Sequence, residues 1–135
     1  MVSSRIKLKR VYEPAARSDG TRVLVDRLWP RGLRKEAAAI DHWLKDLAPS
    51  TALRQWFGHD VERWAEFRQR YRAEIAEHPE ALAALESLAR KGPVTLLFGA
   101  HDELHNNAVV LRELLTGRAT TRTPPKTAGK PRKRA

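Results

Sequence analysis

The sequence predicts a small α/β protein, in which a sheet of three or more strands is covered by about five helices in a single layer-type domain. Three observations predict it. VTLLF, from Val94 to Phe98, is a continuous apolar run bounded by Gly92-Pro93 and Gly99, the pattern of a strand buried on both faces. IKLKR, from Ile6 to Arg10, alternates apolar and basic residues as a half-buried strand does. Between the two runs, apolar residues recur at three- and four-residue spacing, the period of amphipathic helices. With 135 residues the chain has room for one core, and its 41% hydrophobic content is enough to build it.

Each element follows in order. The first strand starts at Ile6 and stops at Glu13-Pro14. Ser18-Asp19-Gly20 is a turn signal, and TRVLVDRLW then supplies the β-branched and apolar residues of a second strand. The connector is short for a parallel crossover, so these two strands either pair antiparallel or are not neighbours. After Pro30-Arg31-Gly32, the spacing of Leu33, Ala37, Ile40, Trp43, Leu44 and Leu47 predicts a helix that Ala48-Pro49 ends. Ser50 is placed to cap a short helix carrying Leu53, Trp56 and Phe57, with Gly58 as its stop. Asp60 can cap the next, whose stripe of Val61, Trp64, Phe67, Tyr71 and Ile75 reads as core. His78-Pro79 stops that helix, a fourth with Leu82, Leu85 and Leu88 runs to Lys91, and a last one, beginning near Asp102, carries Leu104, Ala108, Leu111 and Leu115. Three strands make a thin sheet. Either a fourth hides in an apparent loop or dimerisation extends the sheet.

Charge divides the chain unevenly. Thr116 to Ala135 holds seven Lys or Arg and no acid, which leaves the body only +3 of the net +10. With three prolines and almost no apolar side chains, this basic tail is expected to be disordered. No stretch approaches the roughly 20 apolar residues of a membrane-spanning helix, and MVSSRIKLKR lacks the apolar run of a secretory signal, so a cytoplasmic protein is expected. The absence of cysteine excludes disulfides, thiolate metal sites, iron–sulfur clusters and a cysteine nucleophile.

Two motifs fall where α/β sheets collect ligands, just past the carboxyl ends of strands. In LVDRLWPRG, from Leu24 to Gly32, Arg27 and Arg31 can clamp a phosphate or carboxylate, and Asp26 can orient an arginine or act as a base beside Trp29. The alternative is an Asp26–Arg ion pair that fixes the loop, with Trp29 as a packing plug. In FGAHDELHNNA, from Phe98 to Ala108, a helix starting near Asp102 would make that residue its cap. His105 would then lie in the first turn, where the neutral ring suits a base, with Asn106 close by. The alternative there is capping alone. His101 and His105 stand four apart, but no third ligand is evident and no metal site is expected. The four tryptophans with neighbouring Arg54, Arg63 and Arg68 could form a base-stacking platform, although their spacing favours burial. RIKLKR could be a phosphate-binding edge or an ordinary lysine guard on an edge strand.

The combination IKLKRVYEP, SDGTRVLVDRLWPRG, APS…LRQWFGH and VTLLFGAHDELHNNAVVL resembles the YeaO-like branch of the domain-of-unknown-function 488 family, from about Ile6 to Leu115. The basic tail stands outside that resemblance. It implies a small cytosolic α/β protein and no particular reaction or cofactor. The polar positions that recur in the family correspond here to Arg10, Tyr12, Asp19, Asp26, Arg27, Trp29, Arg31, Asp102, His105 and Asn106.

The functional expectation is a pocket for an anionic, phosphate-bearing ligand, a nucleotide or nucleic-acid end above all. His105, Asp26 and Asp102 are the candidate catalytic residues if the protein is an enzyme. Arg27, Arg31, Trp29, Asn106, Arg10 and Tyr12 are the candidate ligand-binding ones. The alternative is a noncatalytic nucleic-acid-associated protein that grips phosphates through its tail. A salt titration separates the two: tail-driven binding of DNA or RNA is expected to weaken steeply with ionic strength and to vanish on deletion of Thr116 to Ala135, whereas a pocket ligand survives both changes.

Overall fold

The computed structural model describes residues 6–116. The first five residues and the basic segment after Thr116 lie outside it, and with them the expectation about the tail. Four strands, β1 (Ile6–Arg10), β2 (Thr21–Leu24), β3 (His42–Trp43) and β4 (Val94–Phe98), form one sheet in the order β1-β4-β2-β3. Every pairing is parallel. β1 and β2 are therefore not neighbours, because β4 lies between them. All five residues of β4 are buried, as expected of a strand with apolar side chains on both faces.

Among the described residues five α-helices accompany the sheet: α1 (Lys35–Ala38), α2 (Thr51–Phe57), α3 (Trp64–Ala76), α4 (Pro79–Lys91) and α5 (Asn107–Thr116). Among the described residues no helix is long and apolar enough to cross a membrane. α2 starts where Ser50 Oγ accepts the Leu53 amide at 3.1 Å and ends at Gly58 in the left-handed region. Glu74 of α3 secures the same cap, accepting from Ser50 N at 2.8 Å and Oγ at 2.6 Å. Asp60 caps a short 3-10 turn, Val61–Arg63, that leads into α3. That turn rotates Val61 out of the stripe, and it is half exposed rather than part of the core. Phe67, Tyr71 and Ile75 are buried as the spacing predicts.

The helix expected from Leu33 to Leu47 is not there. Only α1 forms, closed by Ala39 in the left-handed conformation (φ 49°, ψ 45°), and the fourth strand follows at His42–Trp43. The physical reason is that these apolar residues serve both sides of the sheet. Leu33, Ile40 and Trp43 pack with Val11, Leu24 and Leu97 on one face, while Leu44 and Leu47 belong to the main core on the other. Trp43 and Leu44 are adjacent in sequence and point to opposite faces, which a strand allows and a helix does not.

The two faces differ in kind. Ile6, Val23, Val25, Val94, Leu96 and Phe98 turn toward α2–α5, where Phe57, Phe67, Tyr71, Ile75, Leu85 and Leu111 complete the core. The opposite face carries Lys9, Arg22 and Thr95 and is closed by a buried polar network around Asp19. Its carboxylate accepts from Lys9 Nζ at 2.9 Å, from the Ala16 amide at 2.9 Å and from Arg22 Nη1. Arg22 also donates to the carbonyls of Ala38 at 2.9 Å and Ala39 at 3.1 Å, and Thr95 Oγ1 donates to the Asp19 carbonyl at 2.8 Å. Beside it Gly20, at φ 65° and ψ −136°, passes so close to Pro93 that an added Cβ would lie 2.3 Å from the Pro93 carbonyl oxygen.

Burial alone would raise the Asp19 pKa, but Lys9, the Ala16 amide and Arg22 together hold it below the usual carboxylate value. The network's contribution to stability is therefore complete above pH about 4 and is lost as the pH falls through that lowered value. Asp19→Ala, which leaves Arg22 buried without its counter-charge, is expected to destabilise the fold by about 3–5 kcal/mol at pH 7 and less in acid. Urea denaturation at pH 7 and pH 3 measures both.

Candidate functional site

The direction of each crossover decides where a ligand can enter. The connections β1 to β2 and β2 to β3 cover the Asp19 face, as the contacts of Asp19, Trp29, Leu33 and Ala38 show. The return from β3 to β4 runs through α2–α4 over the other face, and α5 leaves β4 on that same side. β2 and β4 are neighbours whose following segments depart to opposite faces. This is a topological switch point, and the crevice beyond its strand ends is the place such sheets leave open.

A hollow of about 260 Å³ lies there. From the end of β2 it takes Asp26, Arg27 and Leu28. The turn after β4 and the start of α5 supply Gly99, Ala100, His101, His105, Asn106 and Asn107, while Pro49, Arg54, Phe57, His59 and Phe67 come from around α2 and α3. Phe57 and Phe67 are stacked with centroids 4.4 Å apart and form its apolar wall. Among the described residues, no three His, Asp or Glu side chains are grouped as a metal site.

Asp26 ties the two strand ends together. Its Oδ2 accepts the Gly99 amide at 2.8 Å and its Oδ1 accepts Asn107 Nδ2 at 3.1 Å, while Asn107 Nδ2 also donates to the Val25 carbonyl at 2.8 Å. Burial raises the Asp26 pKa, and the Gly99 amide, the Asn107 amide and the charge of Arg54 oppose the rise without cancelling it. A carboxyl in this state is more easily protonated folded than unfolded. Its favourable contribution to stability is present at low pH and is lost as the pH rises through its raised value.

The turn after β4 departs from the sequence expectation. α5 begins at Asn107, not near Asp102, because Asn106 is the residue that caps it, its Oδ1 accepting the Val109 amide at 3.1 Å. Asp102 instead closes the preceding turn, accepting the amides of Leu104 at 2.9 Å and His105 at 3.1 Å. His105 and Glu103 are thus outside the helix, and Leu104, expected on its apolar face, is 74% exposed. Asp102 Oδ2 lies 2.9 Å from His105 Nδ1. The Leu104 amide is the main influence holding Asp102 below the usual carboxylate value, with burial opposing it and His105 assisting. An ionised Asp102 accepts a proton donated by Nδ1, so Nε2 is the ring nitrogen left for other partners. The ring also meets Trp64 edge-on at 5.2 Å.

Other sequence-derived candidates stand elsewhere. Arg27 lines the hollow while donating to the carbonyls of Pro49 at 3.3 Å and Ala48 at 3.5 Å. Arg31 is exposed and does not line it, and its carbonyl accepts from Tyr12 Oη at 3.1 Å. Trp29 packs edge-on against Trp43 at 5.4 Å and donates to the Leu33 carbonyl at 2.7 Å, on the far face of the sheet. Arg10 braces the turn from outside through the Ala100 carbonyl at 2.9 Å and lies over the Tyr12 ring. The tryptophans do not form a stacking platform: Trp56 is covered by Arg63 and Arg70, and Trp64 packs on Phe67. The lysines of RIKLKR are engaged too, Lys7 with the Ser18 carbonyl at 2.8 Å and Lys9 with Asp19.

From the sequence, Arg54 enters only as part of a stacking platform with the tryptophans, and His59 does not stand out as a site residue. Both lie in the LRQWFGH segment that carried the resemblance, and the signal available was a helix cap at Ser50 followed by a Gly58-His59 turn in which both residues have positive φ.

The chain matches the model of a family described as the inactive DUF488-N3 subclade over residues 5–132, a span that reaches into the basic segment. It is 48% identical over 110 residues to the uncharacterized protein YeaO of Escherichia coli (strain K12), a match covering 82% of this chain and 96% of that protein. It is also 43% identical over 115 residues to the uncharacterized protein Rv3073c of Mycobacterium tuberculosis (strain ATCC 25618 / H37Rv), covering 85% of this chain and 97% of the other. No solved structure matches it. An α/β chain with this strand order, these motifs at its switch point and these relatives along nearly its whole length belongs to the DUF488 family, in its YeaO-like branch.

Proposed function

We propose that the protein binds a small phosphate-bearing ligand in the hollow between the ends of β2 and β4, without turning it over. The observation that carries this reading is Arg54. It lines the hollow, is exposed, and among the described residues donates no side-chain hydrogen bond, so its five donors remain available to an anion. Arg27 adds positive charge to the lining, and His59 and His101 at the rim can donate as well. His105, steadied by Asp102, presents its other nitrogen as a fixed donor or acceptor.

The family's description as inactive favours binding over catalysis. The arrangement agrees with it. Asp26 is held by an amide on each oxygen, and neither serine nor threonine lines the hollow to act as a nucleophile.

Thermal-shift titration with inorganic phosphate, ribose 5-phosphate and nucleoside monophosphates tests this. A ligand at 100 times its dissociation constant is expected to stabilise the chain by about 2.7 kcal/mol, and Arg54→Ala to remove most of that shift while leaving the unliganded Tm within a degree or two. No shift with any of these phosphates at 10 mM (~100 times a 0.1 mM Kd) would reject the reading. The unaltered protein is expected to lose stability as the pH rises through the raised Asp26 value, whereas Asp26→Asn, which cannot ionise but turns an N–H donor toward Gly99 or Asn107, is expected to be less stable at pH 4 and to lack that loss between pH 4 and pH 8. Urea denaturation of both proteins at the two pH values checks the sign.

A further inference from the structure

The hollow has two chemically opposite ends. Its rim is exposed and carries the positive charge of Arg54, with His59 and His101 beside it. Its floor carries one carboxylate, the partly buried Asp26, beside the buried stacked pair Phe57 and Phe67. A ligand that is only an anion satisfies the rim and is repelled at the floor. The occupant must therefore present hydrogen-bond donors at the end opposite its negative charge.

The number of donors is set by Asp26 itself. An ionised carboxylate offers about four acceptor positions over two oxygens. The Gly99 amide occupies one on Oδ2 and Asn107 Nδ2 one on Oδ1, so each oxygen keeps room for one more donor. Two adjacent, coplanar N–H donors on a flat ring match that pair, and the aromatic wall suits the flat ring. Among nucleobases only guanine has this edge, with N1–H next to the exocyclic amino group. Adenine and cytosine set a ring acceptor beside their amino group, and uracil flanks its single N–H with carbonyls, so each would direct a lone pair at the carboxylate.

We infer that the hollow is selective for guanine nucleotides, with Asp26 pairing with the N1–H and 2-amino group and Arg54 meeting the phosphate. The inference rests on the phosphate-binding reading of the same site and adds the identity of the base. Asp26 is then the specificity-determining residue, and Arg54 a determinant of affinity common to all phosphates.

Isothermal titration of the full chain with GMP, IMP, AMP and ribose 5-phosphate separates the two layers. IMP keeps the N1–H and lacks only the 2-amino group. GMP is expected to bind at least about tenfold more tightly than IMP or AMP, the loss that follows when one hydrogen bond to a charged group is removed. Asp26→Asn is expected to bring GMP down to the level of IMP while binding of ribose 5-phosphate is not weakened, and Arg54→Ala to weaken all four alike. Equal affinities for GMP, IMP and AMP, or a preference for AMP, would overturn the guanine assignment while ribose 5-phosphate binding left the phosphate reading standing. No binding of any of the four would overturn both. If Asp26→Asn does not fold, the comparison of GMP with IMP on the unaltered protein still decides.

Discussion

The placing of β4 governs the rest of the molecule. Its residues are apolar except Thr95, and all are buried, so the strand needs a neighbour on each side and cover on both faces. Parallel pairing to β1 and β2 supplies the neighbours. Parallel strands cannot be joined by tight hairpins, so every connection has to cross a face of the sheet. Two connections cover one face and the helices cover the other, which is what parts the chain at the ends of β2 and β4 and leaves a crevice there.

Both covers hold by different physics. On the helical side the cohesion is apolar, with Phe57, Phe67, Tyr71 and Leu111 packed against Val23, Leu96 and Phe98. On the other side a smaller apolar cluster of Val11, Leu24 and Leu97 with Trp29, Leu33, Ile40 and Trp43 is joined by an ionic network, with Asp19 at the centre and Arg22 reaching back to the carbonyls of Ala38 and Ala39. Such a network tolerates no missing partner, because an unmatched charge at that depth is worse than none. α3 and α5 are joined by a less complete ion cluster, in which Oε1 of buried Glu113 accepts from Arg68 at 2.7 Å and Arg72 at 3.3 Å while its Oε2 has no hydrogen-bond partner among the described residues.

At the crevice, one carboxylate has both a structural and a chemical part. Asp26 links β4's exit to α5 through Gly99 and Asn107, yet it is held with its carboxyl in a setting that disfavours the charge. Both of its oxygens accept N–H donors, and a neutral amide, with a single oxygen, could not make both links. The retained acid, facing a rim of arginine and histidine, is the asymmetry from which the proposed ligand polarity follows.

Residue patterns alone determined the α/β class, the extent of β4, the ends of α3 and α4, the caps at Ser50 and Asp60, and the two polar turns that border the hollow. Those features are local: alternation, helical period and capping chemistry are written within a few residues of one another. Tertiary structure alone decided the insertion of β4 between β1 and β2, the break of the expected helix at Ala39 that yields β3, and the start of α5 at Asn106-Asn107 in place of Asp102. It also decided that Arg27 and Arg54 face the hollow while Arg31 and Trp29 do not. Each of these depends on which face of the sheet a side chain meets, and that is set by contacts between segments far apart in the chain, where sequence spacing carries no record of direction.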